Sequence, residues 1–126
     1  MKPPTFAPAY VGMYVILAEI AREHGYALAI HGTVSRDFDL VAIPWTETAG
    51  EPGLLIEKLR EAVGGLIIPS GTKGGRYDAA RGEFVEAVIE NPAIKPHGRL
   101  AWNIHIDGGA AVLDVSVMPR VEYGKE

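Results

Sequence analysis

Asp37 and Asp39 stand two residues apart in the run Asp37-Phe-Asp-Leu-Val-Ala-Ile43. In a strand, residues two apart project from the same face. Two carboxylates held side by side repel each other unless a cation or a proton comes between them. Hard divalent cations prefer oxygen ligands, and Mg²⁺ is usually held by one or two carboxylates together with phosphates and water. A third acid, Asp114, interrupts the run Ala111-Val-Leu-Asp-Val-Ser-Val117. A lone carboxylate in an apolar strand calls for a partner or a metal. Strand parity puts Val112, Asp114, Ser116 and Met118 on one side of that run. If the three acids converge on one sheet face, they would hold one or two metals, Mg²⁺ or Mn²⁺, for phosphoryl chemistry. Asp37 and Asp39 by themselves have the geometry for half of such a site. The plainer alternative puts Asp37 and Asp39 on the wet face of a half-exposed sheet, with Asp114 bonded to a backbone N–H.

Several other residues are candidates for the same site. Arg36, next to the acids, would offset their repulsion or contact a ligand phosphate. Ser70-Gly-Thr-Lys-Gly-Gly-Arg76 is rich in glycine and carries Lys73 and Arg76. Glycines let backbone N–H groups approach an anion, although the loop lacks the spacing of a P-loop and also reads as an ordinary surface loop. Asn103 and His105 share the polar face of Arg99-Leu-Ala-Trp-Asn-Ile-His-Ile106, opposite Leu100, Trp102, Ile104 and Ile106. A histidine there, or His31 ahead of Gly32, can bind metal or move a proton near neutral pH. As lone strand histidines they read equally as hydrogen-bonded surface groups. Trp45 and Trp102 read as core or interface residues, since no basic patch surrounds them.

The elements that must position these residues follow from periodicity. Ala9 to His24 repeats apolar residues at helical spacing after Pro8 and stops at Gly25. Tyr26 to His31 and Asp37 to Ile43 read as a strand–turn–strand unit. Leu54 to Val63 is a second helix, closed by Gly64-Gly65. Leu66 to Ile68 reads as a short strand and Pro69 to Gly75 as a loop. Glu83 to Glu90 fits helix and strand equally well. Arg99 to Ile106 and Ala111 to Val117 flank Asp107-Gly108-Gly109, a hairpin turn signal. This order predicts one α+β domain over residues 1–126, with a mixed or antiparallel sheet of four or five strands and two or three helices on one side.

Composition bounds the function. The chain has no cysteine, which excludes disulfides, thiolate zinc sites and a cysteine nucleophile. Twelve basic residues against 16 acidic ones give a net charge of −4, which argues against a broad nucleic-acid-binding surface. The longest apolar stretch, Ala9 to Ala18, is about half of the roughly 20 residues that a membrane-spanning helix needs. With no export pattern near Met1-Lys2-Pro3-Pro4, a cytoplasmic protein without membrane contact is the expectation.

Gly32-Thr33, then Asp37-Phe38-Asp39-Leu40, then Leu113-Asp114-Val115 resembles the signature of the polymerase-β-type nucleotidyltransferase superfamily. The resemblance implies a minimal metal-dependent nucleotidyltransferase-like domain with a nucleoside triphosphate as partner. It implies that Gly32 and Thr33 help hold the triphosphate, that Asp37 and Asp39 bind magnesium, and that Asp114 activates the attacking hydroxyl. Only Val34, Ser35 and Arg36 separate Thr33 from Asp37, too few for the helix N-terminus that would face the phosphates in that family. Lys73 and Arg76 are the sequence's substitutes, and with Arg36 they complete the expected nucleotide-binding set. The chain also resembles small uncharacterised bacteriophage and prophage proteins over most of its length. A non-catalytic binding or accessory protein that retains the fold, or a metal-dependent nuclease, is the alternative.

Overall fold

Apolar residues at helical spacing turn one stripe of helix α1 (Ala7–Glu23) inward, burying Tyr10, Leu17 and Ala21. Residues 7–32, 34, 37–106 and 111–120 are described by the computed structural model. Gly25 ends the α1 segment at φ 85°, where a Cβ would stand 2.5 Å from Thr46 Oγ1 and 2.7 Å from the Ala49 Cα. Any side chain would therefore push apart the turn that starts strand β1 (Tyr26–His31). Strand β2 (Asp37–Pro44) returns antiparallel to β1, and helix α2 (Pro52–Val63) follows. Proline sits in the first turn of α2, and left-handed Gly64 closes it. Gly64 N–H donates to Glu61 C=O and Gly65 N–H to Arg60 C=O, which satisfies two terminal carbonyls.

The chain then forms a separate two-stranded ribbon, β3 (Lys73–Asp78) with β4 (Glu83–Val88). It returns through the short strand β5 (Ala93–Ile94) to β6 (Leu100–Ile106) and β7 (Ala111–Val117). The main sheet has five strands in the order β1-β2-β7-β6-β5. β2 and β7 run parallel; every other neighbouring pair is antiparallel. Both helices pack on one face of this sheet. There Phe38, Leu40, Leu113, Val115 and Ile104 meet Tyr10, Leu17, Leu55, Ile56 and Leu59 in one buried cluster. The Tyr10 ring stacks on Phe38 at 5.0 Å, and its hydroxyl accepts the Val112 N–H at 3.3 Å. Tyr14 donates to Leu28 C=O at 2.6 Å. Helix α1 is thereby tied to β1, β2 and β7 at once.

The α+β architecture matches the expectation from sequence, and the differences are local. Residues 66–68 form no strand; Leu66 makes a single bridge with His105. The loop expected to run to Gly75 gives way at Lys73 to strand β3, and the ambiguous stretch from Glu83 is a strand. Every β4 residue with a described side chain is exposed or half-buried, so no burial period existed to separate helix from strand. The expected turn at Asp107–Gly109 lies outside the described residues, although Ile106 and Ala111 pair across it.

The outer edge of β6 is completed in three pieces. β5 pairs with Leu100 and Ala101, and Leu66 bridges His105. Between them the buried Asn91 amide stands in for a peptide group: its Oδ1 accepts Asn103 N–H at 3.1 Å, and its Nδ2 donates to Asn103 C=O at 3.2 Å and Ile68 C=O at 3.1 Å. Removing that side chain orphans backbone groups, each costing about 1–3 kcal/mol when buried. Asn91→Ala is expected to lose about 2–4 kcal/mol in urea denaturation. Asn103→Ala, whose exposed side chain is not the bonded group, should stay within about 0.5 kcal/mol of wild type. Equal effects of the two would refute the peptide-substitute role.

Candidate functional site

With the helices covering one sheet face, the other is open, and the strand register decides what meets there. His31 pairs with Asp39, Asp39 with Asp114, and Asp114 with Asn103. One polar row therefore crosses four strands, with two carboxylates adjacent at its centre. On one side of it lies the row Asp37, Val112, His105. On the other lies a row of small residues, Ala29, Val41, Ser116 and Ala101.

Three residues of the small row, Val41, Ser116 and Ala101, line a hollow of about 270 Å³. Asp39, Asp114 and His31 line one side of it, and Lys95 and Arg99 line another. Gly32 follows β1 at φ 72°, and a Cβ on it would come within 3.1 Å of Asp39 Oδ2. Glycine at that position leaves the carboxylate its room. Asp114 is half-buried, and its carboxyl holds its proton more tightly than an ordinary aspartate does. Burial is the first cause, and the charge on Asp39 the second; Lys95 opposes them, Asp37 adds to them and Arg99 opposes them.

The structure brings together only part of the set expected from sequence. Asp39, Asp114 and His31 line the hollow. Asp37 is exposed on the same face, one row away. Asn103 and His105 occupy that face on β6, but neither lines the hollow. Among the described residues no three His, Asp or Glu side chains form a group able to hold a metal ion. Asp37, Asp39 and Asp114 thus share a face without closing into a cage. Lys73 begins the β3–β4 ribbon and does not line the hollow. Arg76 is opposite Val85 in that ribbon, and its side chain, like Thr33 and Arg36, lies outside the described residues.

Of the cations that do line the hollow, Lys95 has no signal in the sequence, and Arg99 reads there as part of an ordinary loop, His97-Gly98-Arg99. The signal was present in strand parity: Arg99, Ala101, Asn103 and His105 alternate onto one face. Lys95 required knowing that β5 pairs with β6. Comparison with protein families, with curated protein sequences and with solved structures gives no match, so the site's geometry carries the functional argument.

The Asp114 environment sets a pH dependence. Because folding raises this carboxyl's pKa, the folded state is favoured most when Asp114 is protonated. The advantage is complete below the ordinary aspartate value of about 3.9 and is lost as pH rises through the raised value. In chelator at neutral pH, Asp114→Asn is expected to melt at a higher temperature than wild type. The two curves should converge as the pH falls toward the ordinary carboxylate range. A lower melting temperature for Asp114→Asn at neutral pH would show that the ionised carboxylate is stabilised by its surroundings.

Proposed function

We propose that the open sheet face binds a divalent cation together with a phosphorylated ligand, as a minimal nucleotidyltransferase-like domain. The observation that supports this is the in-register pairing of Asp39 with Asp114. Two carboxylates placed directly opposite each other are unfavourable without a positive charge between them. The donor set fits Mg²⁺ or Mn²⁺ bound by two carboxylates, with the remaining positions taken by phosphate oxygens and water. It does not fit an all-protein cage. Asp39 and Asp114 would hold the ion, with Asp37 on the adjoining row adding negative charge. The ion would supply charge neutralisation at a phosphate. In this reading Asp114 is also the group that accepts a proton from an attacking hydroxyl. Gly32 gives the Asp39 carboxylate space, and His31 borders it.

A second reading is favoured by a specific feature. Only Val34, Ser35 and Arg36 separate Thr33 from Asp37, too few residues to build a helix N-terminus that grips a triphosphate. A protein that binds metal and phosphate without catalysing transfer has the same hollow.

The readings separate in two measurements. Millimolar Mg²⁺ or Mn²⁺ is expected to raise the melting temperature, the gain being about 2.7 kcal/mol at a hundred times Kd. Asp39→Asn should abolish that response. Titration with ATP, GTP, CTP and UTP in Mg²⁺, followed by an assay for pyrophosphate release, then tests transfer. Metal-dependent nucleotide binding without release supports the non-catalytic reading, and a melting curve insensitive to both ions overturns the cation site.

A further inference from the structure

The β5–β6 hairpin ends with Lys95 N–H donating to Arg99 C=O at 2.8 Å. Its tip is closed by two successive left-handed residues, His97 at φ 67° and Gly98 at φ 75°. Ala93 pairs with Ala101 and Ile94 with Leu100, so Lys95 and Arg99 are the next opposed pair and share the open face with Ala101. The sheet therefore carries a second like-charge pair, of opposite sign to Asp39 and Asp114, bordering the same hollow. Like charges opposite each other are destabilising on their own.

The two pairs do not cancel by direct contact. Among the described residues neither Lys95 nor Arg99 closes a salt bridge with Asp39 or Asp114. Among the described residues the buried Arg99 Nε has no hydrogen-bond partner, and an unmet donor of that kind is costly. A guanidinium with an unused N–H, an opposed ammonium and the Ser116 hydroxyl along one hollow suit a phosphate group, which offers several acceptor oxygens and negative charge. The hollow of about 270 Å³ lies below the range of about 300–1,000 Å³ typical of whole-ligand pockets. It has room for a phosphate or diphosphate, with the rest of the ligand outside.

We propose that Lys95 and Arg99 are the phosphate-binding half of the hollow and that phosphate and divalent cation bind it cooperatively. The cooperativity rests on the cation reading above; the phosphate assignment does not. An anion alone meets the field of Asp39 and Asp114, and a cation alone meets that of Lys95 and Arg99. Bound together, each screens the other's repulsion, and the coupling must be reciprocal.

The test is an amide NMR titration of the full chain with inorganic phosphate, which associates only weakly with Mg²⁺ in solution, in chelator and in saturating Mg²⁺. Mg²⁺ is also titrated alone. Phosphate affinity is expected to rise about five- to a hundredfold with Mg²⁺. Lys95→Gln and Arg99→Gln should each weaken phosphate binding about tenfold or more while tightening Mg²⁺ alone. Lys58→Gln, on α2, serves as the charge-matched control. Since Arg99→Gln can disturb the hairpin, Lys95→Gln with an unchanged amide spectrum is decisive. If it tightens Mg²⁺ yet leaves phosphate affinity unchanged, the cations only offset the acids, and the phosphate assignment falls with the cation reading intact. If phosphate binds through Lys95 in chelator and Mg²⁺ neither binds nor changes it, the assignment stands, and the cooperativity falls with the cation reading. No phosphate binding under either condition overturns the proposal.

Discussion

The parallel alignment of β2 with β7 is the constraint on which the rest depends. Parallel neighbours need a long crossover, and here the chain between them supplies α2, the ribbon and the hairpin that ends in Lys95 and Arg99. The register of this pairing is fixed from the covered side. A slip of one residue would exchange either Phe38 and Leu40 or Leu113 and Val115 with residues of the open face. Each of those buried side chains is worth about 1.5–3 kcal/mol, against about 1 kcal/mol or less for opposed like charges on a solvated face. Core burial wins by several-fold, and so it holds Asp39 beside Asp114 despite their repulsion.

The apolar core and the charged rows consequently sit on opposite faces of one sheet. Tyr10 links the two: its ring belongs to the core beside Phe38, while its hydroxyl takes the N–H of Val112, two residues before Asp114. The β6 edge shows a different economy. A two-residue strand, one bridge and an asparagine side chain replace a continuous neighbour, and they keep β6 in line with β7 where the carboxylate row crosses.

Much of this was legible from periodicity, because α1, α2, β1, β2, β6 and β7 each bury one face and expose the other. The parity of Asp37, Asp39 and Asp114 is a property of each strand alone, so their sharing a face could be read one strand at a time. What could not be read needed partners distant in sequence. The described side chains of β4 are all exposed or half-buried, and two-residue β5 is too short to carry a pattern. The value of Asn91 comes from backbone groups of Ile68 and Asn103, 23 and 12 residues away. Lys95 enters the site only through hairpin pairing, which is why the glycine-rich loop at Lys73 looked the better source of positive charge.

The small residues Val41, Ser116 and Ala101 line the hollow without adding charge to it. The charges that border the hollow belong to neighbouring positions, whereas its depth is set by residues that carry none. Depth and charge can therefore drift separately: a methylene gained at Ser116 or Val41 reshapes the floor and leaves every ionic group in place. The room in the hollow and the charge around it are thus set by different positions.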